Sequence, residues 1–134
     1  MYEVLVVSHG TLAKGFNDAV KMILGSEINY LGLYDDGVEI FHKRLKEKIG
    51  EIKTKNKKVL ILADLFGGSP FNKALYESGN DSDVKVISGI NLSMLIEAIM
   101  SEGSNIDEIA LKIVESTKDS IRPGIILNNN EDDE

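Results

Sequence analysis

Two residues in this chain stand where an α/β fold concentrates chemistry. His9 follows the apolar run Val4-Leu5-Val6-Val7, and Asp64 follows Val59-Leu60-Ile61-Leu62-Ala63. Both runs are short and apolar throughout, the pattern of strands buried on both faces of a parallel sheet. Where such a sheet reverses its strand order, the first polar residues past the strands' carboxyl ends meet. With the order 2-1-3-4, the first and third strands are neighbours there, and His9 faces Asp64. A carboxylate bound to one imidazole nitrogen fixes the tautomer and frees the other nitrogen as nucleophile or base. It also stabilises the cation formed when that second nitrogen is alkylated, acylated or phosphorylated. The plainer alternative is a solvated strand-end histidine and an aspartate that caps a helix.

A glycine-rich turn, Gly67-Gly68-Ser69-Pro70, follows closely on Asp64. Two glycines let backbone N–H groups approach a ligand, and the helix start that follows favours an anion such as phosphate. The Ser69 hydroxyl would add a donor, and so would Thr11 just after His9. An ordinary strand–helix turn with Ser69 as N-cap and Pro70 at the first helical position accounts for the same residues. Capping alone likewise accounts for Thr11. The turn lacks the Gly-Lys-Ser/Thr ending of a Walker A loop. A Ser69–His9–Asp64 hydrolase triad is also disfavoured. Its oxyanion donor would be the N–H of the residue after the serine, and Pro70 has none. His42, flanked by Lys43 and Arg44, reads as a surface or rim residue. The absence of cysteine and the presence of only two histidines exclude thiol catalysis, cysteine-ligated metals and a multi-histidine metal site.

The elements that must position these residues alternate strand with helix. They predict an α/β domain, an open, doubly wound, mainly parallel sheet with helices on both faces. Phe16, Ala19, Val20, Ile23 and Leu24 form the expected inner face of the first helix, which Gly25 stops. A weaker strand over Ile28 to Leu33 precedes a helix with Val38, Phe41, Leu45, Ile49 and Ile52 on one side. Asp83 to Ile87 gives the fourth strand. Asn91 caps a helix that buries Leu92, Leu95, Ile96 and Ile99. Asn105 opens another, with Glu108 in capping-box position and Ile106, Ile109, Ala110, Ile113 and Val114 inward. Met22, Met94 and Met100 are expected to pack within helices. Ile125-Ile126-Leu127 would be a short last strand in need of a partner edge, in its own sheet or in a second subunit.

The chain has 134 residues, enough for one domain, which we place at 1–127 with an acidic, unstructured tail at 128–134. A formal net charge of -7 argues against nucleic-acid binding. No apolar run is long enough to cross a bilayer, and the N-terminus enters a strand pattern without a basic leader. A cytoplasmic protein is expected.

Three blocks carry a family resemblance. They are Val4-Leu5-Val6-Val7-Ser8-His9-Gly10, the central Asp64-Leu65-Phe66-Gly67-Gly68-Ser69-Pro70-Phe71-Asn72, and Ser88-Gly89-Ile90-Asn91-Leu92-Ser93-Met94-Leu95. Together they resemble the mannose-family IIA component of the bacterial phosphoenolpyruvate:sugar phosphotransferase system, as a stand-alone IIA domain. The resemblance implies a phosphotransferase with a phosphohistidine intermediate. His9 would accept the phosphoryl group on Nε2 from phospho-HPr and pass it to a histidine of a IIB domain. Asp64 would orient the ring, and Gly67, Gly68, Ser69 and nearby amides would hold phosphate oxygens. It implies no metal or organic cofactor. It also implies a homodimer in which the C-terminal strand reaches the partner's sheet. The phosphocarrier subunit of dihydroxyacetone kinases is a related branch, but the full central block favours the sugar system. A regulatory binding module phosphorylated on the same histidine is the alternative from another class.

Overall fold

The two apolar runs become the central strands of the sheet. The computed structural model describes residues 1–126, with strands β1 (Tyr2–His9), β2 (Asn29–Leu33), β3 (Lys58–Ala63) and β4 (Val84–Ser88). Between and after them run helices α1 (Leu12–Leu24), α2 (Val38–Thr54), α3 (Ser69–Asn80), α4 (Leu92–Met100) and α5 (Ile106–Ser120). All pairings are parallel and the order is β2-β1-β3-β4, as the alternating pattern predicts.

Successive side chains of a strand point to opposite faces, so a sheet covered on both sides needs apolar residues at every position. Val4, Val6, Leu60 and Leu62 pack on one face with α1, α4 and α5. Leu5, Val7, Val59, Ile61 and Ala63 pack on the other, against Phe41, Leu45, Ile49 and Ile52 of α2 and Phe71 and Ala74 of α3. The expected inner face of α2 is therefore correct apart from half-buried Val38. So is that of α5, with Ala110 and Val114 at its margin and Thr117 added.

Helix α1 departs from expectation. Its buried residues are Ala13, Asn17 and Val20, whereas Ile23 and Leu24 are exposed and Phe16 and Ala19 only half-buried. The cause is Asn17, whose Oδ1 accepts the Ile28 N–H at 2.8 Å just before β2. A buried amide bound in this way draws its own face inward and turns the apolar stripe towards solvent. In α4, Leu95 is buried as expected, and Met94 and Ala98 are buried with it, whereas Leu92, Ile96 and Ile99 are only half-buried. Nearly every α4 residue is apolar, so the helix has no unique stripe to read. Met94 is thus a packing residue, whereas Met22 and Met100 are exposed.

The caps are informative too. Asn91 accepts the Met94 N–H at 2.8 Å, and Asn105 accepts those of Asp107 and Glu108 at 3.1 and 3.2 Å. After α5, residues 121–126 form no strand, and Ile125 and Ile126 are exposed. Ile125 and Ile126 of the expected last strand meet no sheet edge among the described residues. Leu127 and the 128–134 tail lie outside the described residues.

Ile61 is fully buried at the centre of the sheet. Truncation to alanine is expected to cost about 2–5 kcal/mol, read as a lower urea midpoint with an unchanged slope.

Candidate functional site

His9 is the last residue of β1, and Asp64 follows the end of β3. The register that pairs Val7 with Ala63 puts them side by side. One carboxylate oxygen serves both ends of the histidine. Asp64 Oδ2 lies 2.8 Å from His9 Nδ1 and accepts the His9 backbone N–H at 2.9 Å. The Asp64 side chain is 10% exposed and the imidazole 49% exposed, so the pair has a buried base and an open tip. Burial works to raise the Asp64 pKa. The two hydrogen bonds and the charge of the imidazole outweigh it and hold the carboxyl below its ordinary value. An ionised carboxylate can only accept, so Nδ1 carries a proton, and in the neutral ring the lone pair is on Nε2. Asp64 Oδ1 is buried without a protein partner.

The neighbouring turn is shaped around the ring. Gly67 has φ 83, a left-handed conformation that suits glycine. A Cβ on Gly68 would lie 2.9 Å from His9 Cε1, so a side chain there would push the ring off Asp64. The Gly68 N–H donates to the Leu65 carbonyl at 3.0 Å, and Asn72 Nδ2 donates to the Gly67 carbonyl at 3.1 Å. Ser69 is not the N-cap of α3. Gly68 holds that place, because its carbonyl accepts the first helical bond from the Asn72 N–H at 2.8 Å. Ser69 is the first helical residue, with Pro70 after it.

Thr11 stands at the N-cap of α1, but its side chain makes no capping bond. The Ala13 N–H is taken instead by Ser8 Oγ, at 2.7 Å. Ser8 is fully buried, and only its polarity at the end of an otherwise apolar run marked it out in the sequence. Beyond His9, Gly10 has φ 55 and donates its N–H to the Leu33 carbonyl at 2.7 Å. This lays the β1–α1 turn over Gly32 of β2. A Cβ on Gly32 would fall 2.3 Å from the Gly10 carbonyl oxygen.

The histidine therefore lies between two helix starts, those of α1 and α3, whose first-turn N–H groups have no helical acceptor and favour an anion. His42 lies elsewhere. It bridges α2 to α3 through Glu77, Nε2 to Oε2 at 2.8 Å, edge-on to Tyr76. Among the described residues no group of three or more histidine, aspartate or glutamate side chains is arranged to hold a metal ion. An exposed imidazole held at Nδ1 near two helix starts has the groups that a nucleophile for an anionic substrate would need.

Comparison with known proteins gives consistent relatives. Residues 3–114 match the EIIA-man family, described as the PTS system fructose IIA component. The chain is 28% identical to the sorbose-specific EIIA component of the phosphotransferase system (PTS) of Lacticaseibacillus casei, covering 98% of this chain and 99% of that one. It is also 28% identical to the mannose-specific EIIAB component of Escherichia coli K12, over 89% of this chain but only 38% of the relative's length. Among solved structures, the mannose/sorbose-specific IIA subunit from Enterococcus faecalis superposes with a TM-score of 0.86 at 28% identity. That superposition covers 95% of this chain and 97% of the other.

The bond to His9 makes stability depend on pH. Because the folded Asp64 carboxyl is held below its ordinary value, its ionised form adds stability above about pH 4, which fades as pH falls through the lowered value. Asp64→Asn is expected to cost about 1–2 kcal/mol near neutrality, with the gap to wild type closing on acidification. Urea unfolding at a series of pH values checks this, and a gap independent of pH would contradict it.

Proposed function

This chain belongs to the family of PTS fructose IIA components, and we propose on that footing that it carries a phosphoryl group on Nε2 of His9 in sugar uptake. The observation that carries the reading is the single Asp64 oxygen bound to both the His9 N–H and Nδ1, which leaves Nε2 exposed and nucleophilic. The Nε2 lone pair attacks phosphorus in line. The new N–P bond forms as the donor's N–P bond breaks, and the donor imidazole leaves with the electron pair. Positive charge growing on the His9 ring is met by the Asp64 carboxylate through Nδ1–H. First-turn amides and the hydroxyls of Ser69 and Thr11 face the phosphoryl oxygens. Gly67 supplies the turn, and Gly68 supplies room for the ring. No metal or organic cofactor enters these steps, and a displacement between two imidazoles is close to isoenergetic and so reversible. The same steps in reverse pass the group on.

In this reading the donor is phospho-HPr and the acceptor is a histidine of a IIB domain. Both are protein partners met in the cytoplasm, and no helix among the described residues is long and apolar enough to cross a membrane. The sugar never touches this chain. We further propose a homodimer in which the segment after α5 adds to the partner's sheet at β4. That edge is unpaired among the described residues, and Phe66, Leu111, Ile125 and Ile126 are exposed apolar residues.

Intact-protein mass spectrometry after incubation with phosphoenolpyruvate, enzyme I and HPr is expected to show an acid-labile gain of one phosphoryl group. His9→Ala should abolish it and His42→Ala should leave it intact; uptake by His9→Ala would sink the assignment. For the assembly, sedimentation should give a dimer for the whole chain and a monomer once residues 121–134 are removed. A monomeric whole chain would refute strand exchange.

A further inference from the structure

We infer that Ser8 is a positioning residue for His9: its buried hydroxyl fixes the backbone from which the imidazole reaches Asp64. Both capacities of that hydroxyl are engaged. Ser8 Oγ accepts the Ala13 N–H at 2.7 Å and donates to the His9 carbonyl oxygen at 3.1 Å. The first bond replaces the cap that Thr11 does not make, and it sets the first turn of α1 against the end of β1. The second holds the peptide that leaves His9, while Asp64 Oδ2 holds the peptide N–H that enters it. The histidine backbone is therefore bound on both sides by side chains, one from its own strand and one from β3.

Burial makes this arrangement sensitive to loss. Ser8 and Ala13 are both fully buried, so without the hydroxyl the Ala13 N–H has neither protein partner nor water. The turn then regains its amide bond only by shifting. The residue that moves with it is His9, whose ring nitrogen must stay within hydrogen-bond reach of Asp64 to keep the Nδ1–H tautomer. Among the described residues the turn beyond His9 is otherwise held to the sheet at Gly10, by the N–H given to Leu33, and Gly10 has no side chain of its own to anchor. Ser8 touches neither phosphorus nor the ring, and its effect passes through His9.

The kinetic part of this inference rests on the phosphoryl-transfer reading, whereas the spectroscopic part does not. The test compares wild type, Ser8→Ala and Ser8→Thr, the last retaining a hydroxyl. Long-range proton–nitrogen NMR of the His9 ring, recorded at alkaline pH on the unphosphorylated protein, is expected to show one Nδ1–H tautomer in wild type and Ser8→Thr. Ser8→Ala should show averaged ring nitrogens, and its rate of phosphoryl uptake should fall roughly ten- to a hundredfold. Wild-type ring signals in folded Ser8→Ala would overturn the inference, whatever its stability. Should Ser8→Thr not fold, the alanine variant's ring signals alone decide. Should wild type take up no phosphoryl group, the functional reading falls while the ring signals still decide the role of Ser8.

Discussion

The site depends on one oxygen atom. Asp64 Oδ2 accepts from the main chain of His9 and meets its ring, so the same contact that joins the ends of two strands selects the imidazole tautomer. A carboxylate that only touched the ring would fix a tautomer on a movable residue. One that only touched the backbone would fix a position and leave the ring to rotate. Burial works against an ionised group here, and the two bonds with the imidazole charge are what keep Asp64 ionised.

Everything upstream of that oxygen serves to deliver it. Parallel pairing of β1 with β3 requires residues apolar on both faces, and those residues give the sheet its two cores. The strand order reverses at this pair, which leaves space beyond the two strand ends where no crossover helix runs. The helices that start there, α1 and α3, turn their N-termini towards the same end of the sheet. A helix N-terminus carries partial positive charge, here in a chain whose formal net charge is -7.

Much of this was legible from residue type and spacing. The continuous apolar runs located β1 and β3, and with them the meeting of His9 and Asp64. The inner face of α2 was legible because Phe41, Leu45, Ile49 and Ile52 recur at helical spacing, with Ile40 the exposed exception. What escaped was decided by single hydrogen bonds. Asn17 turned α1 by binding the backbone before β2, and no periodicity analysis weighs a buried amide above a phenylalanine. Gly68 took the cap of α3 from Ser69 because capping follows which carbonyl accepts the first helical bond, whatever the side chain. Ser8 caps α1 from five residues before Ala13, beyond the spacing at which capping residues are sought. Ile125 and Ile126 are apolar enough for a strand but find no edge among the described residues, and strand formation needs an edge as well as a propensity.

Two of the positions that define this site contribute no side chain to it, and their lack of one leaves space that others use. Gly68 leaves room for the His9 ring, and Gly32, on another strand, leaves room for the carbonyl of Gly10. Neither carries a group that could bind or react. A map of tolerated substitutions over this chain would therefore outline the site twice, once by the side chains that do chemistry and once by the absence of side chains around them. The second outline reaches into β2, an element with no reactive residue. Drift in that strand is constrained by the residue just past the end of its neighbour, a dependence between distant codons that a list of functional groups would not contain.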